Sequence, residues 1–595
     1  MQNDPSMQHR YALLLLTALW PAMSYAANSS LASICSVSAL QAALPPSGFL
    51  NGITIDASSV TANAVYNQSY TDEDFYPNAD ITYCNVTFQY SHAGIHDNVV
   101  VQYWLPSPEK FQNRYLSTGG GAYQIFSGST SLAGGIPYGA VSGGTDGGFG
   151  SFDASFDDLF LIANGTVNWQ NTYMFAYQAH HELSLLGKEF TRGVYNMANG
   201  TKLYSYYQAC SEGGREGFSQ VQRFPGEWDG AIIGAPALRF AFQQANHLFS
   251  PLVEVTMDYY PTPCALEKLV NLTIAACDPL DGRTDGVVAR TDLCQLQYNM
   301  SSAIGESYYC AASSGGGGGP TKRQMGGGST PAQNGTINSQ DVAVASAVID
   351  GLHDSAGRRA YLSYRIAAAF SDATPTYDST TGTYTQSPGG IGGEWIERFL
   401  NFYNSSSLPS WDGITYDTLT AAMLQGLQFY QDSLNVNWPD LTGWRDAGSK
   451  ILHFHGESDP SIPTGSSVHY YESVRNVLYP DLSFNESQQK LNPWYKLFLV
   501  PGMAHCAPND LQPNGPFPQT NMAVMIDWVE RGIEPVTLNA THLEGPYAGQ
   551  NQQICGWPLR PYWSENGTKL DCVSQDQASL GTWLLDFDAY DYPVY

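Results

Sequence analysis

Two kinds of apolar pattern alternate along the chain. The first is a short unbroken run ending in Gly, Pro or polar residues. "DNVVVQYWLP" from Asp97, "RYLSTGGG" from Arg114, "KLYSYYQAC" from Lys202, "WDGAIIGAPA" from Trp228, "SKILHFHGESDPSIP" from Ser449 and "WYKLFLVPGMAHC" from Trp494 are of this kind. Such runs, rich in Val, Ile, Tyr and Phe and closed by turn residues, predict buried strands. The second kind spaces its apolar residues for a helix. "YMFAYQAHHELSLLGKEFTRGV" (residues 173–194), "EGGREGFSQVQRF" from Glu212 and "NMAVMIDWVERG" from Asn521 predict helices. Strands alternating with helices imply an α/β fold with a parallel sheet. From about residue 240 to 447 the alternation lapses and then returns. The reading is one core, 27–239 and 448–595, interrupted by an inserted domain, 240–447.

Residues 1–26 stand apart. Arg10 flanks the short apolar run "YALLLLTALWPAM", and "SYAA" offers small residues for cleavage after about Ala26. That is the grammar of a secretory signal. No later run is long enough to span a bilayer, and "DAYDYPVY" at the end lacks the apolar tail of a lipid-anchor signal. Twelve Asn-x-Ser/Thr sequons, from Asn28 to Asn566, and an even ten cysteines agree with export to an oxidising compartment as a glycoprotein. The net charge of −28 repels phosphate backbones and anionic lipid heads, which excludes nucleic acid and membrane surfaces as expected partners. Within the insertion, "SSGGGGGPTKRQMGGGST" is too glycine-rich to order cheaply and predicts an exposed loop. Its Lys322-Arg323 pair reads as a processing-protease site, with a plain solvated charge pair as the alternative.

The chemistry starts at "QACSEGGREG", residues 208–217. A serine hydroxyl attacks only when a base takes its proton and backbone N–H groups receive the charge that develops on the acyl oxygen. A sharp strand-to-helix turn supplies both, and it needs small residues two positions either side of the serine. Ala209 and Gly213 fill those positions around Ser211, whereas a surface Ser-Gly loop is the bland alternative. "HGESDPSIP" places Asp459 in a loop after a strand, and "VPGMAHCAP" places His505 after the next. Ser211, Asp459 and His505 thus occur in the chain order of a nucleophile, an orienting acid and a base. The oxyanion donors predicted are the N–H of Glu212 and one from the "TGGGAY" loop, Gly120 or Gly121, unless that loop is only a turn.

A second candidate is "CDPLDGRTDGVV" from Cys277. Asp278, Asp281 and Asp285 offer the several oxygens that a hard cation wants, and the carbonyls of Arg283 and Val287 would complete a shell. Solvated Asp-Gly turns explain the same letters equally well. His453 with His455, and His180 with His181, lack a third ligand at recognisable spacing and read as core or surface histidines.

Cys210-Ser211, Asp459 and His505-Cys506 together resemble the CS-D-HC motif of the tannase and feruloyl esterase family. "YMFAYQA", "GGREG", "ACDPLDGRTDGVV", "HGESDPSIP" and the closing "PVY" are similar to the fungal tannase branch. The resemblance implies an α/β-hydrolase core with a large lid domain inserted, and a Cys210–Cys506 disulfide beside the site. It implies a structural Ca2+ in the lid on Asp278, Asp281, Arg283, Asp285 and Val287, with no organic cofactor. It also favours the sequence-proximal pairs Cys35–Cys84, Cys264–Cys277, Cys294–Cys310 and Cys555–Cys572. Only Cys210–Cys506 would then join the two sides of Lys322-Arg323, so a processed protein would be two disulfide-linked chains. A homo-oligomer is compatible with the sequence, which does not fix the number of chains. The activity implied is a secreted serine esterase on galloyl esters and depsides, small-molecule polyphenols that release gallic acid. The rivals are a feruloyl esterase on hydroxycinnamoyl esters and a non-catalytic polyphenol- or glycan-binding glycoprotein.

Overall fold

The computed structural model describes residues 30–71, 74–312 and 330–595. The secretory-signal segment 1–26 and the Lys322-Arg323 pair lie outside them. One nine-stranded sheet carries the core, in the order β1-β2-β3-β5-β4-β6-β7-β8-β9. The strands are β1 (Ile53–Tyr70), β2 (Ala79–His92), β3 (Val99–Pro106), β4 (Arg114–Thr118), β5 (Ala140–Thr145), β6 (Tyr204–Cys210), β7 (Gly230–Gly234), β8 (Lys450–Gly456) and β9 (Tyr495–Val500). From β5 onward all neighbours are parallel. The first three strands are antiparallel, and β3 joins β5 antiparallel as well. The sheet is therefore mixed, which the alternation of strands and helices did not predict. Its outermost strand β1 is largely exposed on its Thr, Ser and Asn side chains, so no apolar run announces it.

The parallel half reads as unbroken apolar runs because both faces are covered. Alternate residues of β8 show how. Leu452 and Phe454 enter one core with Ile232, Phe498, Met525 and Trp528. Ile451 enters the other with Ile233, Leu497 and Phe218, and the His453 and His455 side chains share that face. Each fully buried Leu, Ile or Phe contributes roughly 1.5–3 kcal/mol. Helix α1 (Ala179–Val194) packs on β4 and β5, α2 (Glu212–Arg223) on β6 and β7, and α3 (Thr464–Leu478) on β8 and β9, while α4 (Asn521–Arg531) covers β7 and β8 from the other core.

β7 and β8 are sheet neighbours, yet 215 residues separate Gly234 from Lys450. Among its described residues the regular elements are mostly helices, including Phe240–Asn246, Pro263–Cys277, Ser339–Asp350 and Tyr416–Tyr430, with two short antiparallel strand pairs. Cys35–Cys84, Cys210–Cys506 and Cys555–Cys572 are bonded. Inside the segment the pairs are Cys264–Cys310 and Cys277–Cys294, which corrects Cys264–Cys277 and Cys294–Cys310. The reason is geometric. Cys264 and Cys277 stand at opposite ends of one helix, Pro263–Cys277. At 1.5 Å per residue that puts their Cα atoms about 20 Å apart, and a disulfide tolerates no more than about 7 Å.

Candidate active site

Strand β6 ends at Cys210 and α2 begins at Glu212, so Ser211 makes the whole turn. It adopts φ 65°, ψ −125°, a left-handed conformation rare for a serine. Its N–H donates to the Gly234 carbonyl at 3.0 Å, which anchors the turn to β7. Small neighbours are required here. A Cβ on Gly213 would stand 2.6 Å from the Ala209 Cβ and 2.7 Å from the Gly120 carbonyl oxygen.

Asp459 and His505 follow β8 and β9. The two loops interlock, with the Ser458 N–H donating to the Met503 carbonyl at 3.0 Å. Gly456 lies so close under the second loop that a Cβ would fall 2.3 Å from the Met503 oxygen. His505 Nε2 is 2.8 Å from Ser211 Oγ, and His505 Nδ1 is 2.7 Å from Asp459 Oδ2. Asp459 Oδ1 accepts the N–H groups of Ser461 at 2.8 Å and Ile462 at 2.9 Å. Burial alone would raise the Asp459 carboxyl. The facing rings of His505 and His455 outweigh it and hold the group well below the usual carboxylate range. Cys506, bonded to Cys210 with Cα atoms 6.1 Å apart, is also left-handed at φ 56°. The bridge thus links the residue before Ser211 to the residue after His505.

The oxyanion donors come out differently from the sequence reading. The Glu212 N–H is at the first helical position, where no intrahelical acceptor exists. The Gly120 N–H instead donates to Glu216 Oε2 at 2.8 Å, and the Gly121 N–H to the Gln124 carbonyl at 3.0 Å. Both glycine amides are engaged inside the protein, so neither is a free donor here. Gly121 to Gln124 is a tight turn with Ala122 at φ 53°.

Three buried charged side chains, those of Glu212, Arg215 and Glu216, had no role in the sequence reading, which used only the Glu212 N–H. Arg215 donates to Glu212 Oε1 and to the carbonyls of Phe175 and Ala176, which belong to a π-helical turn before α1. Glu216 holds the Gly120 loop and lies 3.0 Å from His180. Burial pushes the Glu212 carboxyl up to about 8, against the pull of Arg215. "GGREG" therefore braces the floor of the turn. The only sequence signal was a dense charge group opening a helix that lies inside the protein.

Among the described residues, no three His, Cys, Asp or Glu side chains converge as a metal-holding group. The acidic loop nevertheless has donor chemistry suited to a hard cation. Asp281, Asp285 and Val287 line one small cavity with Asn514, whose Oδ1 is buried without a partner. Burial, with the neighbouring Asp carboxylates, pushes Asp281 up to about 7 and Asp285 to about 6, which a bound cation would reverse. Asp278 directs both oxygens to the N–H groups of Asp285 and Gly286, each at 2.9 Å, and so shapes the loop.

A sheet of this order, with serine, carboxylate and imidazole on loops at the C-terminal ends of its parallel strands, is the architecture of the α/β-hydrolases. The chain belongs to the tannase and feruloyl esterase family, whose pattern matches residues 84–578. It is 50% identical to "Tannase" of Aspergillus oryzae over 587 residues, 96% of this chain and 98% of that one. The solved "Tannin acyl hydrolase from Aspergillus niger" superposes with a TM-score of 0.91 at 56% identity, over 95% of this chain and all of that one. Feruloyl esterase B from Aspergillus oryzae shares the fold, with a TM-score of 0.66 at 23% identity over 90% of this chain and all of that one.

Proposed function

We propose that this protein is a secreted serine esterase that hydrolyses galloyl esters and depsides and releases gallic acid. The observation that carries the reading is the unbroken Ser211–His505–Asp459 hydrogen-bonded line on a left-handed strand-to-helix turn. The identities of 50–56% to proteins named for tannin, against 29% to a probable feruloyl esterase, support gallate over hydroxycinnamate as the acyl group. Five disulfides support an oxidising, extracellular setting.

In the mechanism, His505 Nε2 takes the Ser211 Oγ proton as that oxygen bonds to the ester carbonyl carbon. The carbonyl oxygen gains the charge and faces the Glu212 N–H. Collapse breaks the ester C–O bond, and His505 returns the proton to the leaving alcohol. Water, deprotonated by the same ring, then attacks the galloyl-Ser211 ester, and collapse breaks the acyl C–Oγ bond as His505 returns the proton to Ser211 and the acid leaves. Asp459 holds the ring and stabilises its charged form. The inserted segment supplies pocket walls, and buried polar groups that meet phenolic hydroxyls would reject acyl groups lacking them. Methyl gallate should be hydrolysed roughly 100-fold or more faster, by kcat/KM, than methyl ferulate. The reverse preference would make the protein a feruloyl esterase. A fluorophosphonate should label Ser211, and an unlabelled protein would instead be a binding glycoprotein.

A structural Ca2+ would be held by Asp281, Asp285 and the carbonyls of Arg283 and Val287, within the loop that Asp278 shapes. It would neutralise carboxylates that burial disfavours and would take no part in the chemistry. A strong calcium chelator should lower Tm by a few degrees. Asp281→Ala should have the lowered Tm already and show no chelator response; a parent protein indifferent to chelator would refute the site. Cleavage at Lys322-Arg323 would leave two chains joined only by Cys210–Cys506, since each of the other four bonds has both cysteines on one side of it.

A further inference from the structure

Asp459 has a second imidazole. His455 Nε2 lies 3.0 Å from the same Oδ2 that faces His505, and 3.1 Å from the Ile462 carbonyl. On its other side the His455 ring begins a line of hydrogen bonds through the sheet. His455 Nδ1 is 2.7 Å from Ser467 Oγ, Ser467 Oγ is 2.8 Å from His453 Nε2, and His453 Nδ1 is 2.9 Å from the Tyr495 hydroxyl. All four side chains are fully buried. The line starts at α3 and β9, behind the site, and ends on the carboxylate of the triad.

Its hydrogens can be ordered in one direction. Carboxylate and carbonyl oxygens only accept, so His455 Nε2 carries a proton. With the His455 Nδ1 lone pair as acceptor, Ser467 donates to it. The Ser467 oxygen is left to accept, so His453 donates from Nε2. His453 is neutral, because burial, with His455 nearby, pushes its ring well below the usual histidine range. Its Nδ1 therefore accepts from Tyr495, whose hydroxyl burial keeps protonated. Every donor points toward Asp459, and aligned hydrogen bonds polarise one another in a dry interior.

We infer that His455 is a positioning residue, which the Ser467–His453–Tyr495 line holds in place as the Nε2 donor that fixes Asp459 Oδ2 for His505. The inference rests on the esterase reading above. Two donors on one oxygen share its charge, so the carboxylate orients His505 without holding the imidazolium too tightly to return its proton. The charged and titratable groups around His455 are Asp459 and His505 at one end and His453 and Tyr495 at the other. Across Asp459 stand Tyr364 and the His247–Asp372 pair, whose Nδ1 and Oδ2 are 2.9 Å apart. Arg239 donates to the Ser466 carbonyl behind Ser467, and Glu457 is held by Arg560 beyond the strand end. β7 presents only Gly, Ala and Ile to β8.

His455→Phe keeps the ring volume and removes the donor, whereas His455→Gln can keep a donor near Nε2. With methyl gallate as probe, His455→Phe should lower kcat roughly 10- to 100-fold, as removal of an outer hydrogen-bond partner does for metal ligands. KM should stay within about twofold, since the group touches no substrate. The acid limb of its pH–rate profile should move to higher pH, because Asp459 then stabilises the imidazolium alone. His455→Gln should regain most of the rate, and Ser467→Ala should fall between Phe variant and parent. A folded His455→Phe with parental kcat and acid limb overturns the inference. A rate loss with an unmoved acid limb and no rescue by Gln also overturns it, because it shows only packing. If His455→Phe fails to fold, Ser467→Ala carries the test, and a parental profile for it counts against the inference. Fluorophosphonate labelling of the parent separates these outcomes from failure of the esterase reading itself.

Discussion

Asp459→Asn should lower kcat/KM on methyl gallate by roughly 10⁴-fold while the protein stays folded. The size follows from where the hydrogens must go. Oδ1 accepts two backbone N–H groups, so the amide oxygen of an asparagine would stay there. Its NH2 would then replace Oδ2 and face two ring nitrogens that now donate, His505 Nδ1 and His455 Nε2. His505 would have to move its proton to Nε2, the atom that must accept from Ser211. The serine keeps its position and loses its base. Measured near neutral pH beside an unchanged circular dichroism spectrum, a rate within about tenfold of the parent would mean that His505 does not depend on this carboxylate.

The sequence showed those parts of the molecule whose physics is local. Strands buried on both faces are apolar throughout, so the antiparallel β3 and the parallel β4, β6, β7, β8 and β9 read directly from their runs, and the triad was placed because each member follows one of them. The long β1–β2 pair was invisible for the opposite reason. Its outer strand is half polar and packs on one side only, and its pairing depends on a neighbour supplied by tertiary structure. The amides of Gly120 and Gly121 are engaged by partners that the glycine run does not reveal, and the partner of Gly120 is a long-range one. Glu216, 96 residues away, claims the first of them. The cysteine pairing failed at a point the sequence did settle. "PCALEKLVNLTIAAC" opens with a capped proline and is a helix, which forbids Cys264 from reaching Cys277. His455 was set aside for lacking metal partners, although its alternation with His453 already put both rings on one face of a strand.

The largest expected change from a residue outside the triad is at the Cys210–Cys506 bond. Cys210→Ala/Cys506→Ala should lose both stability and rate, and the two losses have separate causes. The bond closes a loop of 296 residues, although Cys264–Cys310 and Cys277–Cys294 lie inside it and shorten its effective length. Loop-closure entropy then assigns it on the order of 5–6 kcal/mol of stability, before any native-state strain is subtracted. The rate loss comes from the native state. Ser211 and Cys506 both occupy left-handed backbone conformations that the surrounding structure must enforce. With the bridge gone, the Asp459 and His505 loops still interlock through Ser458 and Met503, but nothing covalent limits the separation of His505 from the Ser211 turn. A shift of about 1 Å between oxygen and ring is enough to lower kcat roughly 100-fold. The double variant should therefore melt lower and, at a temperature where it is fully folded, still turn over methyl gallate one to two orders of magnitude more slowly, with the deficit in kcat. Parental kcat in the folded double variant would show that packing of the two loops alone sets the serine–imidazole distance, and that the bridge serves stability only.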